Sequence, residues 1–117
     1  MGLDFVAVDP ISEEQVDDSH FEGLGNFSEA IIRGNLYKEY LFSIYDHSPY
    51  DGYRDKALDE VIEIMERKLQ KRRKKDLYYL DYTGGEFTEE EVEQVADGLL
   101  KWFKVCRDNG FIVDAYY

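Results

Sequence analysis

Positive charge is missing from long stretches of this sequence. No Lys or Arg precedes Arg33, whereas eight acids do: Asp4, Asp9, Glu13, Glu14, Asp17, Asp18, Glu22 and Glu29. None occurs between Asp76 and Leu100 either, a stretch that holds eight more acids. The formal net charge is −12, which argues against DNA, RNA and anionic membranes as direct ligands. Cysteine is nearly absent. Cys106 stands alone, so no intrachain disulfide forms, and this fits a reducing compartment. Apolar runs are short, none approaching the roughly 18 residues of a membrane-spanning helix. The opening lacks a basic region followed by an apolar stretch, and Val6 stands where N-myristoylation needs Ser or Thr. The expectation is a cytoplasmic protein with no membrane partner.

Catalytic signatures are missing as well. No serine sits in a G-x-S-x-G elbow, and neither a G-x-G-x-x-G loop nor a Walker lysine occurs. The two histidines, His20 and His47, lie far apart in sequence. The segment Gly85 to Glu91 imitates the second half of a calcium loop. Its early ligand positions would fall on Leu80, Tyr82 and Gly84, none of which carries a carboxylate. Asp46, His47 and Asp51 can be imagined around one cation, but a turn in which Asp46 and Ser48 bond backbone amides accounts for the same residues. The reading is therefore a protein that is not an enzyme, with no metal and no cofactor.

What is present is enough apolar surface for a core. The 117 residues include 18 aromatic ones, and hydrophobic residues make up 44%, too many for a disordered acidic chain. Leu3–Val8 is a short β-rich run, and Phe111–Tyr116 alternates, so the two are expected to pair as strands. Residues 9–26 predict a long surface loop with one helical turn at Ser12–Val16. Ser28 is placed to cap a short helix through Arg33. Tyr37, Tyr40, Leu41 and Ile44 recur at helical spacing. A long helix is predicted from about Tyr53 to Lys75, with Leu58, Val61, Ile62, Met65 and Leu69 as its apolar stripe. Leu77–Tyr82 reads as a strand, followed by a Gly84-Gly85 turn. Thr88 and Glu91 form a capping box that opens a last helix, with Val92, Val95, Ala96, Leu99, Leu100, Phe103 and Cys106 inward and Asn109-Gly110 as its stop. The expected fold is one α+β domain over residues 1–117, mostly helical, with two long packed helices and a small sheet joining the N- and C-terminal strands.

The placement of charge bears on function. Arg67–Lys75 carries seven bases in nine residues at the end of the predicted long helix, where bases complement the helix macrodipole. Two acidic rows are candidate partner-binding residues: Glu13, Glu14, Asp17, Asp18 and Glu22 in the loop, and Glu89, Glu90, Glu93 and Asp97 on the last helix. A spaced row of carboxylates can imitate DNA phosphates and occupy a basic groove. The expected partner is thus a protein with a basic surface, such as a nucleic-acid-binding protein, and the expected function is a DNA-mimic type of inhibitor. An acidic adaptor or oligomerisation module is the alternative, with a homo-oligomer formed through the Arg67–Lys75 run. A small metal-binding protein or hydrolase is the third.

The opening Met1-Gly2-Leu3-Asp4-Phe5 and the segment Asp46-His47-Ser48-Pro49-Tyr50-Asp51-Gly52 resemble a family of small bacterial and phage proteins. Its members begin MGLDF, carry a central N-H-S-D-C-D-G-like segment, and end in a helix followed by a short apolar strand. Asp46, Pro49 and Tyr50 depart from the central pattern, removing its cysteine and one acid. The resemblance implies a final helix-then-strand arrangement and no particular activity. In size and acidity the chain is also similar to phage-encoded inhibitors of host defence, such as anti-restriction and anti-CRISPR proteins.

Overall fold

The N-terminal apolar run becomes the middle of a sheet. In the computed structural model, which describes residues 2–72, 74–84 and 87–117, strand β1 (Asp4–Val8) lies between β2 (Ile31–Ile32) and β3 (Ile112–Tyr116), antiparallel to both. β1 pairs with β3 along its whole length, from Asp4 opposite Tyr116 to Val8 opposite Ile112. The expected pairing of the chain's two ends is thus met, with β2 added on the other side. The fold is α+β, as the sequence implies.

Among the described residues there are four α-helices, α1 (Lys38–Ile44), α2 (Asp55–Lys71), α3 (Lys74–Gly84) and α4 (Glu89–Asp108), and α4 packs against β3 while the others pack on α4 and on one another. α2 and α4 are the two long ones and pack antiparallel. Arg72, at the C-terminal end of α2, meets Glu93 near the start of α4, while Lys104 near the end of α4 meets Glu66 in α2. The apolar stripes face inward as their period requires. Leu58, Val61, Ile62 and Met65 of α2 are buried, as are Val92, Ala96, Leu99, Leu100, Phe103 and Cys106 of α4, while Leu69 and Val95 are partly buried. Trp102, which the spacing analysis passes over, is also fully buried.

Helix ends follow side-chain chemistry. Thr88 Oγ1 accepts from the Glu91 amide at 3.2 Å, filling one of the orphan donors at the start of α4. Thr88→Ala is expected to lower stability by about 0.5–2 kcal/mol. Chemical denaturation measures this, and an unchanged midpoint would show that the cap is idle. The other end of α4 stops at Asn109-Gly110, where Gly110 adopts a φ of 72°.

Four local expectations are corrected. The long helix does not reach Lys75. It stops at Lys71, because Arg72 turns left-handed (φ 47°, ψ 51°) and its amide bonds back to Lys68 and Leu69. Seven bases continued along one helix would meet at i,i+3 and i,i+4 spacing and repel. The break instead folds the chain back, and Lys68 reaches Asp76, which is only 4% exposed, at 3.4 Å. Second, Leu77–Tyr82 is helical, not a strand. Leu77 and Leu80, three residues apart, point into the core while Tyr78 is exposed, so helical period prevails over aromatic β-propensity. Third, Ser28 caps no helix. A 3-10 turn spans Gly25–Phe27, and Ile31–Ile32 joins β1, because pairing with an existing strand satisfies the backbone of these two β-branched residues. Fourth, Ser12–Val16 is not a helical turn. Asp9 Oδ1 accepts from the amides of Ile11 and Ser12, and Gln15 pairs with Val8, so the segment is a tight reversal beside β1. The glycine turn expected at Gly84-Gly85, like the Gly85-Glu86 part of the calcium-loop pattern and Arg73 of the basic run, extends outside the described residues.

Among the described residues, burial perturbs four tyrosines. Burial pushes the Tyr37 hydroxyl up to about 12. Tyr40 and Tyr53 go higher still, from burial first, then from the nearby Asp76 and Tyr45 respectively. Tyr45 is also raised, by burial and by its hydrogen bond to Glu60. Each folded-state value lies above the unfolded one, so this stabilisation is fully present below pH 10 and is lost as pH rises toward the folded values. Stability should be level up to about pH 9 and fall steeply beyond 10. Urea midpoints at pH 8, 10 and 11 check this, and a flat profile would contradict the burial of these hydroxyls.

Candidate functional site

The N-terminal acids sit on a loop that the core holds in place. Phe21, at the end of the 3-10 turn Asp18–Phe21, stacks on Trp102 with ring centroids 5.3 Å apart. Trp102 Nε1 donates to the carbonyl of Glu29 at 2.8 Å. Phe27 packs against α4 where Gly98 leaves room: a Cβ there would lie 2.5 Å from the Phe27 ring. His20 meets the Phe111 ring edge-on at 4.9 Å. Aromatic anchors thus bind the loop to α4 and to the start of β3.

Two of the five loop acids have structural duties. Asp18 Oδ1 accepts from the Ala30 amide at 2.7 Å, tying the loop to the residue before β2. Asp17 accepts from the Ser19 amide at 2.8 Å, and this bond lowers its pKa. Glu13, Glu14 and Glu22 are exposed. Glu13 holds a φ of 60° at the reversal. Among the described residues no Lys or Arg pairs with any of the five. Ile11, two residues before Glu13, is 93% exposed. Sequence reasoning missed it, although a lone apolar residue between Pro10 and Ser12 in an acidic loop was the available signal. An apolar side chain fully in water beside unpaired carboxylates has the composition of an anchor with a charged surround.

The acids of α4 are arranged differently. Glu89, Glu90, Glu93 and Asp97 fall within about a third of the helix circumference, given 3.6 residues per turn. Arg72 crosses this face, with Nε 3.5 Å from Glu93. Asp97 pairs with Lys101 at 2.9 Å. Glu89 and Glu93 border a cleft of about 550 Å³ whose apolar wall is Leu77, Phe87 and Val92, and Arg72 lines it too. Glu90, Glu93 and Asp97 border a second groove, again with Arg72. The α4 row is therefore partly neutralised from within the chain, by a base that the break after α2 delivers.

The structure does not bring the two acidic rows together. Pro10 in the loop borders a groove with Arg54, Asp55, Arg107 and Gly110, at the end of the molecule where α4 finishes. Glu89, Glu90 and Glu93 lie toward the other end, with about 22 Å of helix rise between Glu93 and Asp108, whereas the later part of the loop packs along the middle of α4 at Trp102 and Gly98.

The Asp46–Gly52 segment is built as a turn. Ser48 Oγ accepts from the Tyr50 amide at 3.3 Å, Pro49 opens a 3-10 turn through Asp51, and His47 Nε2 is 3.0 Å from the Gly52 carbonyl, to which it donates. Gly52 fits because its φ of 72° brings it against β3. Among the described residues no three of His, Cys, Asp and Glu gather as metal ligands, and no helix is long and apolar enough to cross a membrane. Cys106 is buried, and burial holds its thiol far above the usual range, so it is not poised as a nucleophile. No protein-family profile, curated protein or solved structure matches the chain.

Proposed function

We propose that the protein is a non-enzymatic binding protein that docks its acidic N-terminal loop on a basic protein surface, in the manner of a DNA-mimic inhibitor of a nucleic-acid-handling protein. The observation that carries this reading is the difference between the two acidic rows. Among the described residues, Glu13, Glu14 and Glu22 are exposed with no Lys or Arg paired to them, and Glu13 and Glu14 lie close in sequence to the exposed Ile11, whereas Glu93 and Asp97 already have internal partners. Unpaired carboxylates on a rigid loop steer a cationic partner and speed encounter, and an apolar tip adds residence once docked. The adaptor reading is favoured by a different observation, the exposed aromatic side chains of Phe42, Tyr116 and Tyr117.

Charge reversal separates these readings. Asp17 and Asp18 are left intact because they hold the loop. Glu13, Glu14 and Glu22 are changed together to Lys, and Glu89, Glu90 and Glu93 are changed likewise in a second protein. With both variants and the wild type as baits in lysate of the source cell, the loop reversal is expected to lose the partner. Wild-type capture should weaken between about 0.1 and 0.5 M salt as exposed charges are screened. The α4 reversal should retain the partner. Equal capture by all three proteins would favour the aromatic surface.

A further inference from the structure

The bases of α2 are of two kinds. Lys56 pairs with Glu60 and Lys68 with Asp76, and Arg72, which caps the helix, pairs with Glu93. Arg67 and Lys71 pair with no carboxylate among the described residues. Acids are not scarce, since the chain carries 26 against 14 bases. Glu66 is taken by Lys104, and Glu63, one turn before Arg67, is exposed and forms no ion pair with it. Arg67 and Lys71 border one hollow of about 300 Å³ between α1 and α2. Lys68 borders it too, Ile44 and Ile64 complete its walls, and among the described residues no carboxylate lines it. Lys68 is held in place there, for its side chain is only 21% exposed and its ammonium lies 3.4 Å from the buried Asp76.

We infer that this hollow binds a small oxyanion of the phosphate class, held by Arg67, Lys68 and Lys71. Residues at i and i+4 of a helix have Cβ atoms about 5–6 Å apart, so one phosphate group reaches both Arg67 and Lys71. Without an anion the two like charges repel at that spacing. The planar guanidinium of Arg67 offers two parallel donors to two phosphate oxygens, and the ammonium of Lys71 adds a point charge. Lys68 has three donors, so its contact with Asp76 leaves others for the anion. The isoleucine side chains bring no competing acceptor. The net charge of −12 does not oppose a small ion here, because exposed charges beyond about 10 Å are largely screened at 0.1 M salt and the three bases set the local field. A long polyanion is different, since it would run on over the adjoining hollow that Asp46 and Glu60 border. This inference is independent of the proposed docking loop.

Amide NMR on the full, isotope-labelled chain tests it, with inorganic phosphate and pyrophosphate titrated in turn at an ionic strength held constant with sodium chloride. Saturable shifts should gather on the amides of Ile44 and of residues 64–71, with a dissociation constant of about 1 mM or tighter. Sodium chloride alone should not reproduce them. Arg67→Gln with Lys71→Gln should abolish the shifts. Arg54→Gln, which removes an exposed base at the other end of α2, should leave them unchanged. If the double variant does not fold, Lys71→Gln alone decides, and it should weaken binding about tenfold or more. A wild type with no saturable shift overturns the inference, as do shifts spread evenly over the chain or matched by chloride. So does a folded variant at positions 67 and 71, or at 71 alone, that binds like the wild type, or a loss in Arg54→Gln as large as theirs.

Discussion

Trp102→Ala is expected to lower the unfolding free energy by about 3–5 kcal/mol, the range for deleting a large aromatic from a core. Trp102 is fully buried, stacks on Phe21 and touches Phe103 with centroids 5.7 Å apart. Its indole N–H also satisfies the Glu29 carbonyl, which the substitution leaves without that donor. The loss should spread to the N-terminal loop, because Phe21 is a principal anchor of that loop to α4. Hydrogen exchange at the Ala30 amide, held by Asp18, should accelerate more than global destabilisation explains. Urea denaturation followed by circular dichroism gives the free energy. A loss below about 1 kcal/mol would mean that the site collapses around the cavity and that Trp102 does not fix the loop.

Gly52→Ala has the second largest expected effect, about 2 kcal/mol or more, from backbone strain and overpacking together. Gly52 has φ 72° and ψ −174°, a region open essentially to glycine alone. A Cβ there would also lie 2.5 Å from the Val113 carbonyl oxygen, which cannot move freely. That oxygen accepts from the Tyr53 amide at 2.7 Å, and the Val113 amide donates back to Tyr53 at 2.8 Å. Gly110→Ala is the control. Its φ is also 72°, but the space around it is open, so it should cost only the left-handed strain of about 1–2 kcal/mol. If the two glycine variants lose the same stability, close approach to β3 is not what Gly52 provides.

Legibility followed the range of the interactions involved. Thr88, the periodic residues of α4 and Asn109-Gly110 define their helix locally, so pattern and cap chemistry suffice to read it. The pairing of Leu3–Val8 with Phe111–Tyr116 was also legible, since two β-rich runs in a mostly helical chain have few other partners. α3 was not legible, because Tyr78, Tyr79 and Tyr82 give the segment the aromatic content of a strand, and only packing against α1 and α4 selects the helical period. The stop after Lys71 was hidden because an arginine, not a glycine or asparagine, takes the left-handed position. That one turn decides the electrostatics of α4, for it delivers Arg72 to Glu93. Composition therefore revealed both acidic rows but not which one is already paired. The attachment of the loop to Trp102 was invisible for a similar reason: Glu29 and Trp102 are 73 residues apart.

Competition with duplex DNA tests the central claim most directly. The partner captured by the wild-type chain is immobilised through its own tag, loaded with the protein, and titrated with duplex DNA at fixed salt. Docking of the acidic loop in a nucleic-acid groove predicts mutually exclusive binding. DNA should release the protein fully, at concentrations set by the partner's own affinity for DNA, and the Glu13, Glu14 and Glu22 reversal should not block DNA at all. A stable complex of partner, DNA and protein together would contradict the account.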